Sequence, residues 1–283
     1  MTDYFANATV MTLASLALGT AVFKASRRSS RRSLWCGAAL AASFLLSYLL
    51  LLRDSPLLTW LIPCADVLAY GEWLPLILAI FLGLRLRLVD LPVWRKALLV
   101  ILPASVAVYV SYLPLFTSEP RITDRKAGDC VLQSGPNTCG AAAAATFLSR
   151  LGLPTTESEM AKLCLTRGHG TPLHGIVRGL RIRMRDSNRR VVAEQADWNA
   201  LRDGGIEPPL LLIVGLTEDT ARRDPRYHEK WGWTVGQKHV VVFLGRDRGE
   251  ILMDDPSNGT EHWTEQDVRN LWTGVVIRAD SQP

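Results

Sequence analysis

The sequence has 283 residues, enough for one large domain or two of ordinary size, so its length does not decide the architecture. Residues 1–116 hold 10 Lys and Arg against 5 Asp and Glu, whereas the rest of the chain holds 22 of each, so the net charge of +5 belongs to the first part. This asymmetry excludes a basic, nucleic-acid-binding surface along the whole chain. The two parts are instead expected to fold in different solvents.

Four apolar windows in the first part approach the roughly 20 residues that a helix needs to cross about 30 Å of hydrocarbon. They cover about 5–23, 34–52, 67–84 and 97–116. The second and fourth contain no charged residue, while Glu72 lies near the start of the third. The sequence therefore predicts an all-α transmembrane region of about four helices over residues 1–116. An apolar run over 56–64 leaves a fifth crossing as an alternative.

The basic residues of this region predict its orientation. Nine of the ten lie in two short segments, 24–33 and 85–96, and short cytoplasmic loops collect Lys and Arg. Four spans then place both segments in the cytoplasm and everything after Phe116 outside it. We expect a multi-pass plasma (inner) membrane protein, embedded in the lipid bilayer, whose second part is extracytoplasmic. A fifth span would reverse that side.

Residues 117–128 read as a linker, and 129–283 as one folded domain. An alanine-rich run predicts a helix over Cys139–Leu151, Thr156 and Glu159 form a capping-box pattern, and "TPLHGIVRGLRIRM" predicts a third helix. Short β-rich runs follow: "RVVAEQ", "PLLLIVGL", "HVVVFLG", "EILMDD" and "TGVVIRA". Helices first and strands later predict an α+β fold, with helices packed on an antiparallel sheet.

Cys139 opens the alanine-rich helix. A cysteine in such a helix is usually a small core residue. Thr138, Asn137 or Ser134 can cap this helix, which puts Cys139 in the first turn, where unpaired backbone N–H groups and the helix dipole favour a thiolate. Cys139 is therefore a candidate nucleophile.

A thiolate nucleophile needs a base that a third group orients. If "HVVVFLG" and "EILMDD" pair around a three-residue turn, His239 lies directly opposite Asp255, within reach of its carboxylate. A two-residue turn sets Asp254 opposite instead, and spacing alone does not choose. Gln133, six residues before the cysteine, is a candidate donor to the oxyanion of acyl transfer, together with the backbone N–H of Cys139.

These motifs together resemble the bacteriocin-processing, double-glycine cysteine peptidase family, which has a papain-like fold. Its Gln, five residues, Cys-Gly motif is matched by Gln133 and Cys139-Gly140. Its His, apolar strand, Asp-Pro motif is matched by His239 and Asp255-Pro256, which favours Asp255 over Asp254. "GTPLHGIVRGL" and "EHWTEQDVRNLWTGVVI" are similar to the family's helix after the nucleophile helix and to its closing helix and strand. The resemblance implies catalytic Cys139, His239, Asp255 and Gln133, no cofactor or metal, and a peptide or protein substrate.

The sequence also departs from the family. Thr138 stands where Asp or Asn is common, and an insertion, "TEDTARRDPRYHEKWGWTVGQK", precedes His239. Its Tyr227, Trp231 and Trp233 either overhang the cleft or pack as an Ω-loop. No Walker motif follows the domain in this sequence. Coupling to ATP-driven export within the chain is therefore not expected, a separate export partner is not identified, and leader-peptide cleavage fits poorly with an outward-facing domain.

The sequence thus predicts a membrane-anchored cysteine peptidase. Two alternatives keep the same fold. One is a peptide-binding module without proteolysis, and the other is acyl transfer or amidase action on cell-wall peptides. Cys130 and Cys164 would both face an oxidising compartment, so a disulfide between them stays open.

Overall fold

The computed structural model describes residues 2–247 and 249–281. The chain divides into two compact units. One unit holds the chain up to Leu58 together with Asp66–Thr117, and the other holds Thr59–Ala65 together with the chain from Ser118 onward. A seven-residue piece of the first half of the sequence therefore folds with the second unit.

The first unit is helical. The helices up to Phe116 are α1 (Thr2–Ala25), α2 (Arg31–Ser47), α3 (Leu57–Leu61), α4 (Val67–Tyr70), α5 (Leu74–Leu88) and α6 (Val93–Phe116). All belong to the first unit except α3, which begins in the first unit and ends in the second. Four helical stretches are long and apolar enough to cross a membrane: Thr2–Arg28, Arg31–Leu52, Val67–Leu88 and Val93–Phe116. They match the four predicted windows. Helix α3 has five residues, too few to cross, so the described residues lend no support to a fifth span.

Small residues let α1 and α5 approach closely. A Cβ on Gly83 would lie 2.9 Å from the carbonyl oxygen of Gly19, and glycine at such a crossing is the usual device of membrane helices, which gain little from hydrophobic burial against one another. Large apolar side chains face outward instead, with Leu40, Leu50 and Leu102 each more than two-thirds exposed. This outward apolar surface is what a lipid environment requires.

The second unit is α+β, as predicted. Its remaining helices are α7 (Cys139–Arg150), α8 (Glu157–Leu163), α9 (Leu173–Arg183), α10 (Trp198–Arg202), α11 (Glu218–Arg223), α12 (Arg226–Glu229) and α13 (Glu265–Leu271). Its strands are β1 (Lys126–Ala127), β2 (Cys130–Val131), β3 (Arg189–Gln195), β4 (Leu210–Gly215), β5 (Lys238–Asp247), β6 (Glu250–Asp255), β7 (Gly259–Trp263) and β8 (Trp272–Ser281). Six of them form an antiparallel sheet in the order β3-β8-β4-β5-β6-β7.

Helix α7 packs on the sheet at β5. Its residues from Cys139 to Leu148 are all buried, and the alanines among them are small enough for the helix backbone to lie close to the strands. A Cβ on Gly140 would lie 2.8 Å from Cβ of Thr171, so glycine is needed where the helix start meets the chain leading into α9. The alanine-rich sequence therefore fixes how closely Cys139 approaches the sheet.

The far end of α7 is tied to β6. Asp254 is fully buried and accepts hydrogen bonds from Nε and Nη2 of Arg150, at 3.0 and 2.8 Å, and from Oγ1 of Thr260, at 2.6 Å. Bonds of this kind are needed because a buried carboxylate without partners is strongly destabilising.

We predict that Arg150→Ala destabilises the second unit. The change leaves the Asp254 carboxylate buried with Thr260 as its remaining partner, which costs about 3 kcal/mol. The midpoint of thermal unfolding of the full chain in detergent should fall by several degrees. Arg185→Ala, which removes an exposed arginine, is the control and should leave the midpoint nearly unchanged. Equal midpoints in the two variants would contradict the assigned role of this ion pair.

Candidate active site

Cys139 is the first residue of α7, and the loop before it is held by an unexpected set of bonds. Thr138 occupies the N-cap position, but its side chain makes no capping hydrogen bond. Its hydroxyl instead accepts from the backbone N–H groups of Ser134 and Gly135 and donates to the carbonyl of Gly135, each at 3.1 Å. The expected side-chain cap is therefore wrong, and the threonine clamps the loop that leads to the cysteine.

The other two proposed capping residues also bond elsewhere. Asn137 donates to the carbonyl of Gly168 at 2.5 Å, and the hydroxyl of Ser134 donates to the fully buried carboxylate of Glu157. Within residues 2–247 and 249–281, no hydrogen bond uses the backbone N–H of Cys139. That N–H is consequently available to an oxygen atom that arrives beside the thiol.

Gln133 lies in the same loop and is tied to the end of β6. Its backbone N–H donates to the carbonyl of Pro256 at 2.8 Å, while its side-chain Oε1 is buried without a hydrogen-bond partner among the described atoms. Gln237, just before β5, donates to the carbonyl of Pro136 at 3.2 Å. These two bonds connect the loop from Gln133 to Cys139 with the start of β5 and with the end of β6, the strands that carry the candidate histidine and aspartate.

His239 and Asp255 form the centre of the site. Nε2 of His239 lies 2.8 Å from Oδ1 of Asp255, whose side chain is fully buried, and the thiol of Cys139 interacts with the same imidazole and raises its pKa. Since Nε2 is engaged by the carboxylate, Nδ1 is the nitrogen that is left for the thiol. The structure therefore brings a thiol, an imidazole and a carboxylate into one site.

The predicted strand register is wrong, although the two side chains still meet. Asp247 pairs with Glu250, so the strands run on through both predicted turns. A bulge between Phe243 and Gly245 then shifts the ladder by one residue, and Val242 pairs with Asp254. Extending this register places Asp255 two residues away from the position opposite His239. The pair is therefore diagonal, a geometry that long side chains can span. Asp254 bonds to Arg150 instead, as described above.

The charges of its neighbours hold His239 in its protonated form. Burial alone would lower the pKa of His239, but its hydrogen bonds to Asp255 and Cys139, together with the charges of those groups, outweigh burial and raise the pKa to about 10. The imidazolium thus persists well above the ordinary pKa of about 6.5.

The insertion before His239 packs against the core beside the histidine. Tyr227 is fully buried, Trp231 stacks on Trp263 with ring centroids 5.2 Å apart, and the ring of Trp233 meets that of His239 edge-on at 5.3 Å. Of the two alternatives left by the sequence, these aromatic side chains fit the packed loop. Trp233 forms one wall of the space around the imidazole and limits the access of water to it.

The other cysteines differ from Cys139. Cys130 and Cys164 are both buried and free, and burial raises the pKa of each thiol to about 12, so neither is disposed to form a thiolate. Cys36 and Cys64 are exposed. Among the described residues, Cys139 is the cysteine whose thiol raises the pKa of a histidine.

Sequence reasoning missed two residues that support this site, Glu157 and Trp233. No pattern in the sequence marks Glu157, yet it is fully buried and accepts from the backbone N–H of Ser134 at 2.9 Å. Trp233 is one of three aromatic residues for which the sequence leaves two positions open, and its contact with His239 is not predicted. Its position, six residues before His239 in the sequence, was the signal that could have identified it as a neighbour of the histidine.

Fold and site together define an α+β protein with a cysteine, a histidine and an aspartate in one site, joined to a helical region suited to a membrane. The chain belongs to the same family as an uncharacterized protein of Methanothermobacter thermautotrophicus. The two are 43% identical over 147 residues, which are 52% of this chain and 84% of that protein. No family model matches the sequence.

Solved structures with some likeness to the chain include two peptidases. One is the peptidase domain of Streptococcus ComA, a bifunctional ABC transporter involved in quorum sensing, with a TM-score of 0.42, 18% identity, and coverage of 53% of this chain and 96% of that one. The other is a double-glycine-motif protease from an AMS/PCAT transporter in complex with the leader peptide, with a TM-score of 0.41, 13% identity, and coverage of 59% and 97%.

We predict that Asp255→Asn lowers the pKa of His239 toward its ordinary range. The change removes a carboxylate that stabilises the imidazolium. In the parent chain, the contribution of the charged His239 to the free energy of unfolding is present at low pH and lost as the pH rises toward 10; in the variant it should be lost nearer neutrality. NMR titration of the histidine ring signals, with His239→Asn for assignment, measures this shift.

A matched control is the chain's exposed histidine–carboxylate pair, His262 and Glu250, whose atoms lie 3.2 Å apart. Glu250→Gln should leave the titration of His239 unchanged. A His239 pKa that stays as high in Asp255→Asn as in the parent chain would show that the carboxylate does not control it.

Proposed function

We propose that residues 129–283, which lie in the second unit, form a cysteine peptidase domain of the double-glycine type and that the helical first unit anchors it in a membrane. The observation that carries the proposal is the hydrogen bond between His239 and the buried carboxylate of Asp255, at 2.8 Å. The thiol of Cys139 interacts with the same imidazole and raises its pKa. A nucleophile, a base and an orienting group in this order support covalent acyl transfer.

Each residue has a role in this mechanism. The Cys139 thiolate attacks the carbonyl carbon of the peptide bond, and the charge that develops on the carbonyl oxygen is stabilised by the backbone N–H of Cys139 and the amide of Gln133. The His239 imidazolium gives its proton to the leaving amine. Water, activated by the neutral imidazole, then hydrolyses the thioester. Asp255 holds the ring in the orientation that both proton transfers need.

The geometry favours catalysis over binding alone. A groove that only binds a peptide gains nothing from a fully buried carboxylate bonded to an imidazole, since burying that charge costs free energy. Catalysis accounts for this cost, because the buried carboxylate stabilises the imidazolium that pairs with the Cys139 thiolate. Transfer of the acyl group to an amine other than water uses the same residues, so it is treated as an outcome of the test below.

We propose in addition that the peptidase is extracytoplasmic, on four spans. Arg181 of the second unit donates to the carbonyls of Thr59, Ile62 and Cys64, at 2.6, 2.7 and 2.8 Å. That segment follows the second candidate span, and Ser118 follows the fourth. Because both belong to one compact unit, they must lie on the same side of the membrane, which requires an even number of crossings between them. Four spans with cytoplasmic basic loops satisfy this requirement and place both outside.

The predicted topology is tested with reporter fusions after Pro283. A reporter that is active only outside the cytoplasm, such as alkaline phosphatase, should be active, and one that fluoresces only in the cytoplasm should be dark. The opposite pair of results would place the peptidase inside and overturn this part of the proposal.

We predict that Cys139→Ala abolishes hydrolysis of an internally quenched peptide library by the full chain, with a fall in kcat/KM of at least about a thousandfold. The background should carry Cys36→Ala and Cys64→Ala, because both thiols are exposed and would react with a thiol-directed probe. In that background the probe should label the parent chain at Cys139 and leave the Cys139→Ala variant unlabelled.

Cys164→Ala is the control, since its thiol is buried and its pKa is raised, and it should retain both hydrolysis and labelling. Undiminished hydrolysis in Cys139→Ala would refute the peptidase. Conversion of the peptides mainly to amides when a free amine is present would replace hydrolysis by acyl transfer on the same residues.

A further inference from the structure

A basic cavity of about 830 Å³ lies within the first unit, where the turn after α1 meets the start of α2, the end of α5 and the start of α6. Its polar lining belongs to the two basic segments that the sequence predicts to be cytoplasmic. Four cations line the cavity against one carboxylate, that of Asp90; the cations are Arg27, Arg31, Arg87 and Lys96. The charge of the lining is therefore complementary to an anion.

One of these cations is already engaged and three are available. The guanidinium of Arg87 donates to the carbonyl of Phe23 at 3.0 and 2.9 Å and lies 3.7 Å from the centre of its ring. In the part of the chain that the structure describes, the side chains of Arg27, Arg31 and Lys96 make no hydrogen bond or ion pair. Three like charges around one cavity repel one another unless an anion binds between them.

A second, apolar cavity of about 250 Å³ continues from the first between α1, α5 and α6. The two share the side chains of Phe23, Leu86 and Val100. Away from this junction the second cavity is lined mainly by aliphatic and small residues, among them Leu16 and Ala104. A cationic cavity thus leads directly into an apolar one along the helices that are suited to span a membrane.

We infer that the two cavities together bind one anionic phospholipid. Its phosphate lies among Arg27, Arg31 and Lys96, and one of its acyl chains lies in the apolar cavity between α1, α5 and α6. A free phosphate would satisfy the cations and leave the apolar cavity unfilled. A neutral lipid would fill the apolar cavity and leave the cations unpaired. Basic pockets between the cytoplasmic ends of membrane helices are known to receive such headgroups.

The experiment measures lipid retained by the full chain in nanodiscs, with phosphatidylglycerol in a phosphatidylcholine background as the probe. After transfer into detergent, native mass spectrometry should show one phosphatidylglycerol bound per chain. Each cation near an anionic headgroup contributes about fivefold to binding, so the variant Arg27→Ala/Arg31→Ala/Lys96→Ala should lose about a hundredfold in affinity.

The chain offers a matched control for charge. Arg28, Arg32 and Arg95 are sequence neighbours of the three cations and lie outside the lining of the cavity. Arg28→Ala/Arg32→Ala/Arg95→Ala removes the same net charge and should retain the lipid. Equal losses in the two triple variants would overturn the site, because they would show attraction to the membrane surface in general.

A second pair of variants tests the acyl chain without changing charge. Ala104→Phe fills the apolar cavity and should displace the lipid, whereas Ser105→Phe, at the exposed neighbouring position, should not. Glycerol phosphate, which has the headgroup chemistry without a chain, should compete only weakly with phosphatidylglycerol. Competition at equal affinity would show a phosphate site and overturn the lipid assignment, as would unchanged retention in Ala104→Phe.

Discussion

The second unit depends on the hydrogen bonds of two adjacent carboxylates, Asp254 and Asp255, which are buried at the end of β6. Asp254 accepts from Arg150, the last residue of α7, and Asp255 accepts from His239, which in turn interacts with Cys139, the first residue of α7. The one strand end therefore holds both ends of the helix that carries the thiol. Because neither carboxylate is exposed, each bond must be present for the fold to tolerate the charge.

The loop before Cys139 shows how the rest of the site is built around this constraint. Thr138 and the buried Glu157 hold the loop from within, while Pro256, the residue after Asp255, accepts from the backbone N–H of Gln133. The segment that holds the candidate oxyanion donors is thus bonded to the same strand end that orients the imidazole. A shift of β6 would displace the thiol, the base and Gln133 together.

Composition and periodicity were sufficient for the α+β class and the four long apolar helices, because both depend on patterns that extend over many residues. They were not sufficient for the register of the β5–β6 hairpin. The strands run on to the pair Asp247–Glu250, past both predicted turns, and a bulge at Gly245, whose φ is +114°, then shifts the ladder by one residue. Both are local backbone choices that the strand pattern on either side does not encode. His239 and Asp255 nevertheless meet, because residues two apart on a strand share a face and the diagonal pair remains within reach.

The supporting residues were harder to find, for a different reason. A glutamate near a helix start is usually solvated. Glu157 is an exception because it bonds to Ser134, in a loop 23 residues earlier in the chain. The aromatic residues of the insertion were visible, but whether they pack or overhang depends on Trp263, which belongs to a strand that the sequence did not predict. Contacts between distant segments decide both cases.

The seven residues Thr59–Ala65 make the second unit discontinuous in sequence, and this matters for any attempt to cut the protein apart. Arg181 finds three carbonyl partners in that segment, and Oγ1 of Thr59 donates to the carbonyl of Ala193 in an edge strand of the sheet. A soluble fragment that starts at Ser118 would contain the whole candidate site and still lack one of the pieces against which its helix α9 and strand β3 are built. The boundary suggested by the end of the last membrane helix is therefore not the boundary of the folding unit.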